Sequence, residues 1–248
     1  MGKKYFCWNI DDGLEQDKQI IKILKEYGMG ATFNLNSGML GHQGMIGRIG
    51  DWGIRDLSLE KYRKFPHILR YHEAFRIPRD EIKEVYEGFE IAGHGYKHEN
   101  LRKISEADAQ TSIQKDVNTL ANLFDTKIIG FAYPYGAYTE VSEPYLKDAG
   151  ILYARTVEKA AGFRKPADLL HMPITEWHIS ADAVERVQSF LDANAEEEDL
   201  FFLMFAHGYE FDFGTENSNW EKFRRICDMV SSCGDVVCSS TAEALGLR

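Results

Sequence analysis

The chain has 248 residues, of which 44% are hydrophobic, and a formal net charge of -10 at pH 7. This length allows one barrel-sized domain with a large core, because no Ser/Gly/Pro-rich linker and no repeat of fixed period divides the sequence. The acidic balance disfavours a nucleic-acid phosphate backbone or an anionic membrane as partner, so we expect neither.

Signals of compartment and redox chemistry are few. The four cysteines, Cys7, Cys227, Cys233 and Cys238, lack the paired spacing of a structural zinc site. There is no signal-peptide pattern and no apolar stretch near the length of a membrane span. As written, the sequence predicts a cytoplasmic protein, or an exported one if an export signal has been trimmed. Its oligomeric state stays open.

Strand-like and helix-like segments alternate along the chain. Residues 5–10 form an apolar run that ends at Asp11-Asp12-Gly13, and residues 15–27 have apolar side chains at helical spacing. Residues 29–36 alternate between apolar and polar side chains, which predicts a strand packed on one face and facing something polar on the other. Alternation of this kind is typical of parallel α/β architecture.

The same alternation continues to the C-terminus. We predict helices over 79–87, 105–124, 139–149, 181–194 and 217–231, strands over 89–92, 127–131, 151–154, 200–206 and 236–237, and irregular structure over 155–180. These segments make roughly seven strand–helix pairs, and they indicate a (β/α) barrel in a single domain over residues 1–248.

Residues 37–78 are too long for an ordinary connection. Six regularly placed glycines precede a mixed aromatic and basic segment, with a short helix expected near residues 59–69. We interpret this stretch as an insert of functional importance. Its aromatic side chains either line a groove or close a local core: Trp52, Tyr62, Phe65, Tyr71 and Phe75.

Acidic and histidine side chains follow three of the predicted strands. Alone, Asp11-Asp12-Gly13 is typical of a polar turn. His94 and His98, however, have the four-residue spacing with which two histidines on one face of a helical turn bind one metal ion, and a carboxylate would complete the ligand set. Two histidines and one aspartate leave coordination positions open, as hydrolysis requires. A second carboxylate could then act as base and another histidine as acid.

These motifs resemble those of polysaccharide deacetylases, the NodB-homology group of carbohydrate esterases. The resemblance spans roughly residues 5–210, with smaller echoes in residues 31–33 and 85–93. Four motifs occur in the family's order: Asp11-Asp12-Gly13, His94-Gly-Tyr-Lys-His98, Phe131-Ala-Tyr-Pro-Tyr-Gly136 and the apolar run into His207.

The resemblance implies a distorted (β/α) barrel that removes acyl groups from N-acylated sugars with the help of a metal ion. By position, Asp11 would be the general base, His207 the general acid, and Asp12, His94 and His98 the metal ligands. Zinc is the first choice of metal, and cobalt, nickel or iron would also suit these ligands.

The resemblance also implies binding groups around the acyl carbonyl. Tyr135, after Pro134 in the aromatic turn, lies where a backbone N–H of the family helps to hold the oxyanion. Trp177 is the candidate for the family's motif tryptophan, and a plain core position is the alternative.

Two departures from the family pattern stand out. Ala132 occupies the place of an arginine that often orients the base, so either Arg155 or Arg164 substitutes for it, or Asp11 is held differently. The family's Asp and Trp near the acid histidine are not cleanly recognisable. Glu210 and Asp212 either shape the substrate pocket or belong to a solvated loop.

Three functions remain at this point. The first is a deacetylase of an N-acetylated saccharide, and the second is a hydrolase of the same fold acting on a non-sugar amide such as a cyclic ureide or imide. The third is a carbohydrate-binding protein without turnover. We interpret the remaining histidines as structural or surface residues: His42, His67, His72, His171 and His178.

Overall fold

The computed structural model describes residues 2–41 and 76–248. Most of the insert predicted at 37–78 lies outside these ranges, as do its expected short helix and all five of its aromatic residues. The interpretation of the insert and the single-domain extent over residues 1–248 therefore stay predictions.

Nine parallel strands of the described chain form one sheet. Their bounds are β1 Lys4–Asp11, β2 Ala31–Leu35, β3 Glu90–Gly93, β4 Gly130–Ala132, β5 Tyr153–Lys159, β6 Met172–Ile174, β7 Glu176–Trp177, β8 Leu200–His207 and β9 Val236–Cys238. The order is β6-β5-β4-β3-β2-β1-β8-β7, with β9 also pairing with β1.

Helices connect these strands. Their bounds are α1 Asp17–Glu26, α2 Ile82–Val85, α3 Glu106–Phe124, α4 Ser142–Asp148, α5 Ala183–Asp192, α6 Trp220–Ser231 and α7 Thr241–Leu245. In the part of the chain that the structure describes, no helix combines the length and the apolar character that crossing a bilayer requires.

The sheet is nearly closed, because its two end strands follow one another in the chain. Only Thr175 separates β6 from β7, and its N–H donates to the Leu203 carbonyl of β8. The predicted α/β class with a distorted parallel barrel is confirmed. The prediction of irregular structure over residues 155–180 is wrong, because β6, β7 and most of β5 lie there.

Strand β1 lies near the centre of the sheet and pairs with β2, β8 and β9. Its even-numbered residues Phe6, Trp8 and Ile10 belong to the core between the sheet and the helices. There Trp8 packs on Phe223 of α6, with ring centroids 4.7 Å apart. Because successive side chains of a strand point to opposite faces, the odd-numbered residues face the barrel interior. Asn9 and Asp11 therefore point into the barrel interior, and the polar face expected for β2 also faces this interior.

Helix α7 closes the amino-terminal end of the barrel, and the sequence did not predict it. Its residues Ala242, Ala244 and Leu245 join the interior core cluster. Ser240 caps the helix, since its side chain accepts from the Glu243 N–H. All four cysteines are free.

Asp17 begins α1 as a fully buried carboxyl group. Its Oδ2 atom accepts hydrogen bonds from the Tyr86 hydroxyl at 2.7 Å and from the Leu14 N–H at 3.2 Å. Burial outweighs both bonds and raises the pKa of the Asp17 carboxyl from 3.8 to about 8. The folded chain therefore holds a proton on Asp17 at neutral pH that the unfolded chain releases.

We expect Asp17→Asn to flatten the pH dependence of stability. The contribution of Asp17 is fully present below pH 3.8 and is lost as the pH rises through about 8, because the folded state binds the proton more tightly. From about pH 5 to about pH 7, the free energy of unfolding should fall by roughly 1.4 kcal/mol per pH unit more in the unmodified chain than in the variant. Urea denaturation across that range measures both slopes, and parallel slopes would contradict a protonated Asp17.

Candidate metal centre and catalytic site

The site forms where the carboxyl ends of three strands meet. Asp11 at the end of β1 pairs in register with His207 at the end of β8 and with Asn34 of β2. His94 follows β3 directly, and its backbone N–H donates to the carbonyl oxygen of Leu35. Because parallel strands end at one edge of a sheet, residues far apart in the chain converge there.

Asp12, His94 and His98 form a possible metal site. Each offers a ligand atom, and these atoms all lie within 4.8 Å of one another. Asp12 Oδ1 lies 3.9 Å from His94 Nε2 and 3.7 Å from His98 Nε2. These are the three residues predicted as ligands, and their imidazole and carboxylate donors suit zinc and related divalent ions.

The hydrogen bonds of His94 leave one ring nitrogen for a metal ion. Its Nδ1 lies 2.7 Å from the carbonyl oxygen of Ala132, which only accepts, so Nδ1 carries the proton. His94 Nε2 and Asp12 Oδ1 are buried and have no hydrogen-bond partner among the described residues. Burial lowers the pKa of His94 and favours the neutral form that a ligand requires. The donor set therefore fits a divalent cation.

Left-handed backbone turns position these side chains. Among residues 2–41 and 76–248, four non-glycine residues have positive φ, and three belong to the site: Asp12 at 85°, His98 at 59° and Tyr135 at 60°. The fourth, Asp125, ends α3. Non-glycine residues adopt this region at an energetic cost, and such residues concentrate at functional sites.

The helical turn assumed for the His94–His98 pair is wrong. Residues 94–98 form a loop outside the helices, in which Gly95 at φ 74° and His98 reverse the chain. Helix α3 holds this loop, because Asp116 accepts from the N–H of His94 at 2.8 Å and from that of Ser37 at 2.8 Å. The two imidazoles therefore converge through loop geometry and not through helical periodicity.

Arg155 of β5 holds the candidate base. Its Nη2 atom lies 2.5 and 2.6 Å from the two carboxylate oxygens of Asp11. Arg155 is 1% exposed, whereas the side chain of Arg164 is 83% exposed and pairs with Glu198. Of the two arginines suggested from the sequence, Arg155 thus takes the place that Ala132 leaves empty. Burial raises the pKa of Asp11, but the charges of Arg155, His94 and His207 together outweigh burial, and the net pKa is lowered.

A second buried arginine supports Asp12, and sequence reasoning missed it. Arg76 donates through Nη1 to the backbone oxygen of Asp12 and, at 3.0 Å, to Asn36 Oδ1, while Nη2 lies 3.9 Å from Asp12 Oδ1. Burial raises the pKa of Asp12, but His98 and Arg76, together with His207 and His94, outweigh burial, so the net pKa is lowered. Each aspartate of the site thus has its own arginine. The long sequence separation concealed this pairing.

Glu210 holds the candidate acid. It is fully buried, and its Oε1 lies 2.9 Å from His207 Nδ1 while its Oε2 accepts from the His207 N–H at 2.9 Å. Burial raises the pKa of Glu210, but the charge and hydrogen bonds of His207, together with the charge of His178, outweigh burial, and the net pKa is lowered. The solvated-loop alternative is therefore wrong for Glu210. It does describe Asp212, which is exposed and bonds to Gln16 and Trp220.

A cavity of about 280 Å³ opens between these groups. Trp177 and Tyr135 both line it, and Trp177 Nε1 donates to Glu210 Oε2 at 3.2 Å, so Trp177 is not a plain core residue. Pro134 is buried and does not line the cavity. The remaining lining residues are Asp11, His94, His98, Tyr133, Val157, Lys159, Ile174, Phe205 and His207.

The other histidines divide by location. His178 is buried against Glu210 at 3.3 Å and bonds to Ser218, and burial lowers its pKa to about 4. His171 is partly exposed and pairs with Asp168 at 2.9 Å. Both positions agree with the structural or surface interpretation, and the three histidines of the insert lie outside the described residues.

The barrel thus brings together a possible metal site of two histidines and an aspartate, a second carboxylate and a third histidine. A family model for polysaccharide deacetylases matches residues 1–154. The chain belongs to the polysaccharide deacetylase family. A comparison with curated proteins finds no match.

Solved structures share the fold at low identity. A Mycobacterium smegmatis protein assigned as a polysaccharide deacetylase is 14% identical, with TM-score 0.62, 100% of this chain covered and 91% of that one. A CE4 family pseudoenzyme from Bacillus anthracis is 17% identical with TM-score 0.56; 99% of this chain is covered, and this chain spans 66% of that one. The peptidoglycan deacetylase PdaC from Bacillus subtilis is 14% identical, with TM-score 0.53, 99% of this chain covered and 91% of that one.

Proposed function

We propose that this chain is a metal-dependent hydrolase that removes acetyl groups from an N-acetylated saccharide. One observation carries the proposal. The carboxylate of Asp11, held by Arg155, and the imidazole of His207, held by Glu210, border the same cavity as the metal-ligand candidates His94 and His98. Family membership supports the same chemistry.

The residues of the chain divide the reaction between them. A divalent ion held by Asp12, His94 and His98 would supply Lewis acidity, which polarises the acetyl carbonyl and eases deprotonation of water. Asp11 accepts a proton from the attacking water while the water oxygen forms a bond to the carbonyl carbon. His207 donates a proton to the nitrogen as the C–N bond breaks, which releases acetate and a free amine.

The cavity suits a small acyl group. Its volume of about 280 Å³ is small for a binding pocket, and apolar side chains of Val157, Ile174 and Phe205 form part of its wall. The backbone N–H of Tyr135, in its left-handed turn, would stabilise the oxyanion that develops on the carbonyl oxygen. The sugar itself would lie toward the open side.

The retention of a complete set of reactive groups favours turnover over binding alone. One fold neighbour is named a pseudoenzyme, so the fold by itself does not guarantee catalysis. In this chain, however, Asp11, Asp12 and His207 are all present and buried, each with a charged partner. Burying charged groups costs free energy, and buried charges of this kind concentrate at catalytic sites.

An acetate-release assay tests the proposal. The substrates are chitin oligomers, peptidoglycan fragments and a set of cyclic ureides and imides, each assayed with added zinc, cobalt, nickel or iron. We expect release of acetate from at least one acetylated saccharide, and loss of that release in Asp11→Asn. Ring opening of a cyclic amide without acetate release would overturn the saccharide as substrate and assign a cyclic amide instead. Saccharide binding without hydrolysis under every metal would overturn the enzymatic proposal.

A further inference from the structure

A chain of buried polar side chains fills the barrel interior beneath the catalytic site. It starts at Arg155 and runs through Asn9 and Thr241 to Glu90 near the opposite end of the barrel. We propose that Asn9, held by Thr241 of the C-terminal segment, is a positioning residue that fixes the Arg155 guanidinium against Asp11. This inference rests on the proposed function.

The upper part of the chain surrounds the base. Asn9 Oδ1 accepts from Arg155 Nε at 2.8 Å and from Asn34 Nδ2 at 2.7 Å. Asn34 Nδ2 also lies 2.8 Å from Asp11 Oδ1. Asn9 and Asn34 are each 1% exposed. The amide of Asn9 therefore holds two of the groups that contact the carboxylate of the base, and His94 Nε2, at 3.4 Å from Asp11 Oδ2, is a third contact.

The strand register places these groups on one face. Asn9 and Asp11 are two residues apart on β1, so both side chains point into the barrel. Their partners in register on β2 are Thr32 and Asn34. Polar side chains at matching levels of two neighbouring strands thus form a ladder directly below the site.

The lower part of the chain holds the Nδ2 end of the Asn9 amide. Asn9 Nδ2 donates to Thr241 Oγ1 at 3.0 Å, and the Thr241 hydroxyl lies 3.0 Å from that of Thr32. Glu90 Oε2 accepts from the Thr32 hydroxyl at 2.8 Å and from the Ala242 N–H at 3.0 Å.

The arginine sets the orientation of the Asn9 amide. Because a guanidinium only donates, Asn9 must turn Oδ1 toward Arg155 Nε. The Nδ2 atom of Asn9 then faces Thr241 Oγ1, which accepts its hydrogen bond. The Thr241 hydroxyl of the C-terminal segment thereby stabilises the amide orientation that the arginine requires.

The role of Asn9 is separable from metal and substrate binding. Asn9 does not line the cavity and does not belong to the metal-ligand group. Without Asn9 Oδ1, Arg155 Nε would lose its acceptor. Arg155 would keep the bond from Nη1 to the Thr156 carbonyl oxygen at 3.3 Å and the contact of Cζ with the Phe205 ring centroid at 4.6 Å. The guanidinium could then move away from Asp11, and the base would lose its fixed orientation.

A double-mutant cycle in kcat tests the inference, with Asn9→Ala, Arg155→Met and both together. We expect Asn9→Ala to lower kcat roughly tenfold and Arg155→Met roughly 100-fold, with KM and bound metal unchanged, since misplacing one reacting group acts on the chemical step. Because Asn9 acts through Arg155, the double variant should match Arg155→Met within about twofold.

A matched pair at Thr241 provides a second test. Thr241→Val keeps the shape but removes the hydroxyl, and we expect kcat to fall several-fold at constant KM. Thr241→Ser keeps the hydroxyl and should restore kcat. Circular dichroism verifies folding of every variant, and the Thr241 pair decides the question if Asn9→Ala does not fold.

The outcomes separate this inference from the proposed function. Suppose that the unmodified chain turns over a substrate. The inference alone is overturned if the kcat losses of Asn9→Ala and Arg155→Met multiply in the double variant, or if Thr241→Val and Thr241→Ser have the same kcat. If the unmodified chain hydrolyses no substrate with any metal, the proposed function is overturned and the inference with it.

Discussion

Replacing His98 with alanine should empty the metal site and stop turnover. His98 supplies one of three candidate ligands, and its Nε2 lies 3.7 Å from Asp12 Oδ1. Two remaining ligands bind a divalent ion weakly, and the Lewis acidity of the ion contributes several kcal/mol to the reaction. We therefore expect activity to fall by at least roughly 10³-fold, as each 1.36 kcal/mol is worth a factor of ten.

Metal analysis of the purified protein, paired with the acetate-release assay, measures this result. The unmodified chain should contain one divalent ion, and His98→Ala should contain none. His171→Ala is the matched control, because His171 pairs with Asp168, does not line the cavity and should leave the metal content unchanged. Full activity of His98→Ala after metal removal would rule out the assigned ligand set.

Glu210→Gln should be the most damaging change that touches neither metal ligand nor base. Glu210 accepts from the His207 N–H and Trp177 Nε1, and its other oxygen lies 2.9 Å from His207 Nδ1. Glutamine keeps the shape but removes the negative charge that stabilises protonated His207. Because the proton that His207 donates to the leaving nitrogen is worth roughly 10²- to 10⁴-fold, we expect kcat to fall by roughly 10²-fold or more.

The split between kcat and KM distinguishes this effect from general damage. Because the proton reaches the leaving nitrogen in the chemical step, Glu210→Gln should lower kcat while KM and the bound metal stay unchanged. Asp212→Asn is the control, because Asp212 lies two residues further on but is exposed, and its kcat should match that of the unmodified chain. A kcat of Glu210→Gln equal to that of Asp212→Asn would contradict the role of Glu210.

Much of the site was predictable because its residues follow apolar runs. Asp11 and Asp12, His94 and His207 each come at the end of a strand, and parallel strands bring such ends together. Periodicity predicted the long elements well, including α3, whose first turn Ser105 caps. It failed for short strands such as β6 and β7, where three residues or fewer give no usable pattern.

The long strands and helices, the reactive residue types and the places where they leave the sheet could be predicted from the sequence. Which charges meet depends on the tertiary structure. Arg155 of β5 reaches Asp11 of β1 across the barrel interior, although three strands separate them in the sheet. Glu210 turns inward only because the chain reverses after His207. Such pairings depend on closure of the sheet, which brings together side chains that neither local spacing nor strand neighbourhood connects.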